Sequence, residues 1–548
     1  MPDQKPNIIV ILADDLGFSD LSCFGGEIET PTIDALANNG FRASQFYNTP
    51  RCCPSRACLL TGLYPHQAGV GMMVYRDYGD GYQGGLNDRC VTTAEMLKTA
   101  GYQTMLSGKW HVGHQKESRP EARGFDKFTG IYTHIDSYWR VLPGCEIYRD
   151  GELFIGSDEV PVDPYSPDEE FHTTDFFTNV ALDYIDKANQ CPEKPFYLHL
   201  CYNAPHFPLE APEDLISKYR GRYRSGWSDM RPEKLTRMKQ MGIVSAEQQL
   251  PIANGFNQKD REGFDYKMSF DSGEIPNWQD LSEEEQDELD FRRAMYAAQV
   301  EHMDRSIGRI IDDLTAKGIL DNTVIMFMSD NGCSGELGPF GMNWPEYSSK
   351  NYQEWRTEGG WASAQGQCWA SLSNAPLRKY KIFAHEGGIA SPLVVHWPAS
   401  IKSPGRICTD QVLHMIDIFP TLSDIAGVEL SGEFKGRRIT PPQGISMLPW
   451  LNSKNQTMTN RTLYWQHETN AAIRDANWKL VTSDDRDKDS WELYDLSNDR
   501  SETHDLSKEH PSKVEELLLK WHKWAENSDV LPYPEDRNNL RRIDWPPE

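Results

Sequence analysis

Two places in the chain set oxygen donors side by side directly after an apolar run. Asp14-Asp15 follow Asn7–Ala13 (Asn-Ile-Ile-Val-Ile-Leu-Ala), and Asp330-Asn331-Gly332 follow Val324–Met328. Adjacent carboxylates repel, so at a strand end they are costly unless a cation lies between them. Either pair alone reads as a helix or turn cap. Together, each behind a strand of buried type, they point to three carboxylates and one amide oxygen holding a hard divalent cation, calcium or magnesium and not zinc. The chain has 56 Lys+Arg against 82 Asp+Glu, a net charge of −26. That balance argues against non-specific nucleic-acid binding. It also requires that an anionic substrate be drawn in by a local cationic site.

A second cluster is Cys52-Cys53-Pro54-Ser55-Arg56-Ala57-Cys58-Leu59-Leu60-Thr61-Gly62. Its three thiols lack the paired spacing and the histidine partners of a zinc site. Alone it reads as a buried cysteine ahead of a helix. The order Cys-x-Pro-Ser-Arg, then three residues and Leu-Thr-Gly, resembles the signature of the type I, formylglycine-dependent sulfatases, the arylsulfatase-like branch of the alkaline phosphatase superfamily. Other segments resemble further signatures of that family. They are Gly101–His111 (Gly-Tyr-Gln-Thr-Met-Leu-Ser-Gly-Lys-Trp-His), Asn203-Ala204-Pro205-His206, Asn374–Arg378 through Lys381 to Glu386-Gly387-Gly388, and Trp491–Leu496. The pattern departs at Ile389-Ala390-Ser391-Pro392, where Ile-Arg-Val-Pro is usual.

The resemblance implies an enzyme that cleaves sulfate monoesters, of aryl sulfate type, to an alcohol or phenol and sulfate. Cys52 becomes formylglycine through a dedicated maturation enzyme, and the hydrated aldehyde is the nucleophile. Asp14, Asp15, Asp330, Asn331 and the modified Cys52 hold one divalent cation, calcium in most members. Arg56 fixes the hydrate and offsets carboxylate charge. Lys109 and Lys381 bind sulfate oxygens as point charges. His111 takes the proton from the second hydroxyl, and His206 is the general acid for the leaving oxygen. Without the motifs, His111 and His206 read as buried structural histidines and Lys381 as a surface lysine in the run that Arg378 and Lys379 begin. Two other substrate classes fit the same core: sulfated carbohydrates, such as a galactose sulfate of mucin or algal glycans, and phosphonate or phosphate monoesters. A metal-dependent binding protein whose Cys52 stays a thiol is the non-enzymatic alternative.

These residues need a scaffold that gathers strand ends. Strand patterns (Asn7–Ala13, Gln103–Ser107, Pro195–Cys201, Val324–Met328, Pro392–Trp397) alternate with helical ones (Thr30–Ala37, Val91–Thr99, Met295–Leu314, Ile416–Ile425). The alternation predicts an α/β fold, a large mostly parallel or mixed sheet with helices on both faces. Ligands of such sheets sit beyond the carboxyl ends of the strands. After about Gly427 the texture changes to short strands (Arg461–Gln466, Trp478–Thr482, Glu492–Tyr494) and one helix (Ser512–Trp524). This gives a catalytic domain over 1–430, with a polar insertion around 207–290, and a smaller α+β domain with a short antiparallel sheet over 431–548.

The 11 cysteines are odd in number and thinly spread, as free buried thiols are. No apolar run approaches the ~18 residues of a membrane span. No basic-then-apolar leader is visible, which predicts a cytoplasmic protein, or a periplasmic or secreted one if a leader was removed. His385 reads as structural, and His66 and His114 as pocket or surface residues. The Trp-rich stretch Cys333–Ser373 (Trp344, Trp355, Trp361, Trp369) reads as the packing core of a long loop, with stacking on a substrate ring as the alternative.

Overall fold

The computed structural model describes residues 5–75, 77–158, 160–253, 275–341, 348–356, 363–430, 432–452 and 460–534. Ten strands form one mixed sheet: β1 Asn7–Ala13, β2 Phe41–Ala43, β3 Gln103–Lys109, β4 Lys127–Ile131, β5 Ile147–Arg149, β6 Glu152–Ile155, β7 Phe196–Cys201, β8 Thr323–Ser329, β9 Leu393–His396 and β10 Arg406–Cys408. Their order is β10-β2-β9-β8-β1-β7-β3-β4-β5-β6. The central run β8-β1-β7-β3-β4 is parallel. β9 runs antiparallel to both its neighbours, and β4-β5-β6 form an antiparallel edge.

Helices cover both faces, so the central strands carry unbroken apolar runs in place of alternation. Ile8 to Ala13 are all fully buried. Gly108, next to the end of β3, has φ +107, and a Cβ there would lie 1.9 Å from the Cys201 carbonyl oxygen. Only glycine lets β3 approach β7 at that point.

The helices used below are α1 Pro31–Asn38, α2 Cys52–Thr61, α3 Thr93–Thr99, α4 Thr173–Asn189, α5 Glu213–Tyr219, α6 Gly226–Met241, α7 Glu283–Ala316, α8 Ile418–Ala426 and α9 Pro511–Asn527. The helix expected over Met295–Leu314 begins already at Glu283, where Ser282 and Glu285 form a capping box. Its first turns hide from a periodicity reading because they bury charge. Arg293 is fully buried, with Nη2 2.9 Å from Asp20. The same holds for the polar segment 207–290. Its described part contains α5 and α6, and Lys234 of α6 is buried 2.9 Å from Glu27. Residues 254–274 of that segment lie outside the described residues.

Toward the C-terminus β11 Thr462–His467, β12 Asn470–Asp475, β13 Trp478–Thr482 and β14 Glu492–Asp495 form a separate antiparallel sheet, against which α9 packs. β12 was not expected. Its Asn-Ala-Ala start has little strand propensity, and pairing on both sides overrides that. Side chains of this sheet and the loop after it reach back to Tyr47 and to the segment that precedes β9. The buried Glu386 carboxylate accepts from Lys479 and Arg500, both at 3.0 Å, and from the Tyr47 hydroxyl at 2.6 Å. Glu492 on β14 pairs with Arg378 at 2.8 Å and with His385 at 3.0 Å.

All eleven cysteines are free, and only Cys191 is exposed. Trp369 is buried against Trp227 and Trp278, and Trp355 packs on Tyr352, which makes both packing residues. Trp344 and Trp361 lie outside the described residues. Among the described residues no helix is long and apolar enough to cross a membrane.

Candidate active site

Neighbouring strands β8, β1, β7 and β3 all end on the same edge of the sheet, and each hands over functional side chains there. Asp330-Asn331 follow β8, Asp14-Asp15 follow β1, His206 lies in the loop after β7, and Lys109 closes β3 with His111 two residues on. Register fixes this alignment, with Ala13 opposite Ser329 and Leu12 opposite Cys201. The N-terminus of α2 adds Cys52 and Arg56. The Thr49 N–H donates to Ser55 Oγ at 3.0 Å, and their hydroxyls meet at 2.7 Å, pinning the turn before α2 to its first turn. Pro54 sits in that first turn, where no helical N–H is needed. Lys381 arrives on the segment between Arg378 and Glu386, whose ends are held by the small sheet.

The sequence-predicted residues meet in one buried cluster. Lys109 Nζ donates to Asp14 Oδ2 at 2.5 Å. Arg56 Nη2 is 3.1 Å from Asp330 Oδ2 and 3.6 Å from Asp14 Oδ2, while its Nη1 donates to the Lys109 carbonyl at 3.0 Å. Lys381 Nζ reaches Asp15 Oδ2 at 2.8 Å and His206 Nε2 at 3.2 Å. His206 Nδ1 lies 2.5 Å from the Phe207 carbonyl, so it carries the proton and Nε2 accepts from Lys381. His111 Nδ1 is 3.5 Å from Cys52 Sγ. Asp15 and His111 hold left-handed backbone, φ 66 and 59, a strain that L-residues sustain only where the surroundings fix them.

Charge and burial tune each group. Burial pushes the His111 imidazole down to about 3, leaving it neutral. Burial and the Lys381 ammonium also lower His206. Burial raises Asp330 well above the ordinary carboxylate range, and the charge of Asp14 adds to it. Asp14 is held low in spite of burial by Lys109, His206 and Arg56. The Cys52 thiol is lowered, first by a hydrogen bond from Cys53, then by Lys109 and His111 against the effect of burial.

The donor set fits a hard divalent cation. Asp14 Oδ1 and Asn331 Oδ1 are buried with no hydrogen-bond partner among the described residues. Asn331 Nδ2 donates to Asp15 Oδ1 at 2.6 Å and to the Gly332 carbonyl at 3.0 Å, so its amide oxygen stays free. A buried unpaired acceptor costs about 1–3 kcal/mol, and a cation shared among these oxygens relieves it.

Beyond the cluster a pocket is lined by Arg51, Met73, Tyr75, His134, Ile135, Asp136, Phe207 and Glu336 as well as Cys52, Lys109, His111, His206 and Lys381. Sequence reasoning missed the first eight. Glu336 is the most telling: it is 2.9 Å from Arg51 and 3.1 Å from Lys381. Its only signal was position, a few residues after Asp330-Asn331. His66 and His114 do not line this pocket: His66 is buried, with Nε2 2.9 Å from Gln466 Oε1, and His114 is exposed. His385 is structural, as expected.

The family model described as Sulfatase matches residues 6–428, and that of the N-sulphoglucosamine sulphohydrolase C-terminal region matches 379–526. An uncharacterized sulfatase of Schizosaccharomyces pombe is 33% identical, covering 97% of this chain and 96% of its own. An arylsulfatase of Klebsiella aerogenes is 31% identical, covering 81% and 91%. The crystal structure of Ps i-CgsB in complex with k-i-k-neocarrahexaose matches with a TM-score of 0.65 at 24% identity, covering 97% of this chain and 98% of that one. With its motifs gathered at one sheet edge and family models spanning nearly its whole length, this chain belongs to the sulfatase family of the alkaline phosphatase superfamily, enzymes that hydrolyse sulfate esters.

Proposed function

We propose that this protein hydrolyses aryl-type sulfate monoesters to a phenol or alcohol and inorganic sulfate, using a formylglycine made from Cys52 by a maturation enzyme and one bound calcium ion. The observation that carries the reading is the ring of Arg56, Lys109, Lys381, His111 and His206 around the Cys52 side chain, over the oxygens of Asp14, Asp15, Asp330 and Asn331. When bound, the cation would polarise a sulfate oxygen, and a hydrated aldehyde would supply a nucleophile whose second hydroxyl permits sulfate release. Lys109 and Lys381 bind the sulfate oxygens as point charges. Arg56 orients the side chain at position 52 and counters Asp330. His111, held neutral, places an imidazole beside position 52 as the proton acceptor. Lys381 and His206 share a proton along their 3.2 Å contact and deliver it to the leaving oxygen.

The apolar wall of Met73, Tyr75, Ile135 and Phe207 supports an aromatic leaving group. The neighbouring His134–Asp136 pair, 3.3 Å apart, favours a second reading, a sulfated sugar whose hydroxyls it would bind. The test uses matured enzyme on nitrophenyl sulfate, sulfated galactose and the matched phosphate ester. Highest catalytic efficiency on the aryl sulfate is expected. Preference for the sugar would replace the aryl reading, and preference for phosphate would overturn sulfate hydrolysis. Peptide mass spectrometry should find position 52 lighter by one sulfur and two hydrogens and heavier by one oxygen. Recovery of thiol alone from fully active material would overturn the aldehyde.

A further inference from the structure

The thiol cluster that lacked histidine partners in the sequence acquires one in the fold. β3 brings His111 next to Cys52, and Cys52 Sγ, Cys53 Sγ and a His111 ring nitrogen all lie within 4.8 Å of one another. The Cys52 Sγ to His111 Nδ1 distance is 3.5 Å. Two ligands on a tetrahedral zinc, sulfur at about 2.3 Å and nitrogen at about 2.0–2.1 Å, are themselves about 3.5 Å apart. We propose that, before Cys52 is converted, Cys52, Cys53 and His111 form a binding site for a thiophilic divalent cation of the zinc class, chemically distinct from the oxygen-lined site beside it.

Three observations support it. The donors are two sulfurs and an imidazole, which select zinc-type ions, whereas Asp14, Asp15, Asp330 and Asn331 select calcium or magnesium. All three side chains are buried, and Cys52 and His111 face the pocket, giving the ion a way in and leaving its fourth position to water. The charge also closes. The ion replaces the thiol protons, so the nearby Lys109 ammonium does not exclude it.

By contrast, the group of His172, Asp175 and His302 has no sulfur donor and would not select a thiophilic ion. His172 Nδ1 accepts the Thr174 N–H at 3.3 Å, and His302 Nε2 lies 2.8 Å from Asp175. The Cys52 site does not rest on the hydrolase reading, because it concerns the thiol alone. Conversion removes one of its two sulfurs, so thiophilic binding marks the unconverted chain.

The test uses full-length protein made without the maturation enzyme, reduced and stripped with a chelator, then titrated with cobalt(II) and displaced by zinc. One equivalent with a thiolate-to-cobalt absorption band is expected, retained in Asp330→Asn. Cys53→Ser and Cys52→Ala, each keeping one thiol, should weaken the band by about half and bind zinc weaker by more than the about 10–100-fold that a supporting residue is worth, and the double variant should lose the band. Circular dichroism confirms that each variant is folded. Should Cys53→Ser be unfolded, His111→Gln takes its place. Cobalt bound without a thiolate band, a band unchanged in these variants, or no binding would each overturn the site.

Discussion

Removing and restoring the divalent cation should change thermal stability by an amount the structure sets. Without the ion, Asp14 Oδ1 and Asn331 Oδ1 are two buried acceptors with no partner among the described residues. At about 1–3 kcal/mol each, relieving both stabilises the folded state by about 2–6 kcal/mol. Unfolding entropy of about 2.1 cal/mol/K per residue over 548 residues makes 1 kcal/mol equivalent to about 0.9 °C. Saturating calcium should therefore raise the melting temperature of chelator-treated protein by about 2–5 °C, read by differential scanning fluorimetry or calorimetry. Asn331→Ala removes one of the two oxygens and should roughly halve the increment. An identical melting temperature with chelator, calcium and magnesium would refute the argument. So would an unchanged increment in Asn331→Ala, since the stabilisation would then come from elsewhere.

Gly108→Ala forces a Cβ to within 1.9 Å of the Cys201 carbonyl at φ +107 and should cost about 3 kcal/mol or more; urea denaturation showing under 1 kcal/mol would contradict the close approach of β3 and β7. His199, buried on β7, is pushed down to about 3 by burial and Arg56. The unfolded chain then takes up a proton below about pH 6.5 that the native state refuses, so stability falls as pH drops from about 6.5 toward 3. His199→Gln should abolish about 2 kcal/mol of the difference between pH 8 and pH 5, and an unchanged pH slope would count against it. Lys381→Met should lower kcat/KM on sulfate esters about 10²–10³-fold, with undiminished turnover arguing that the lysine touches no sulfate oxygen. His206→Gln should slow alkyl sulfates, which need leaving-group protonation, about 10²–10⁴-fold while sparing nitrophenyl sulfate, and an equal loss on both would remove its role as proton donor.

The central strands were legible because two-face burial demands uninterrupted β-branched runs. The residues that cluster at the strand ends were legible because each stands directly beyond such a run or inside a motif. Much of what escaped the sequence shares one physical cause: polarity that is paid back by a distant partner. The first turns of α7 and the segment holding α6 read as solvated because Arg293 and Lys234 meet Asp20 and Glu27 only in three dimensions. Glu336 read as an ordinary loop acid until Arg51 and Lys381 came to either side of it. The pairing of Cys52 with His111, 59 positions along the chain, was legible only through the resemblance of their motifs, since no spacing rule reaches that far.

The contacts of Glu386 and Glu492 have an engineering consequence. Lys381 lies where the two matching family regions overlap, residues 379–428, and its segment hangs at both ends from Lys479, Arg500 and β14. Chimaeras that exchange the last hundred residues between relatives therefore graft a foreign bracket onto an anionic-substrate pocket. Tail and catalytic half have to be transplanted together, or the bracket residues carried across with the graft.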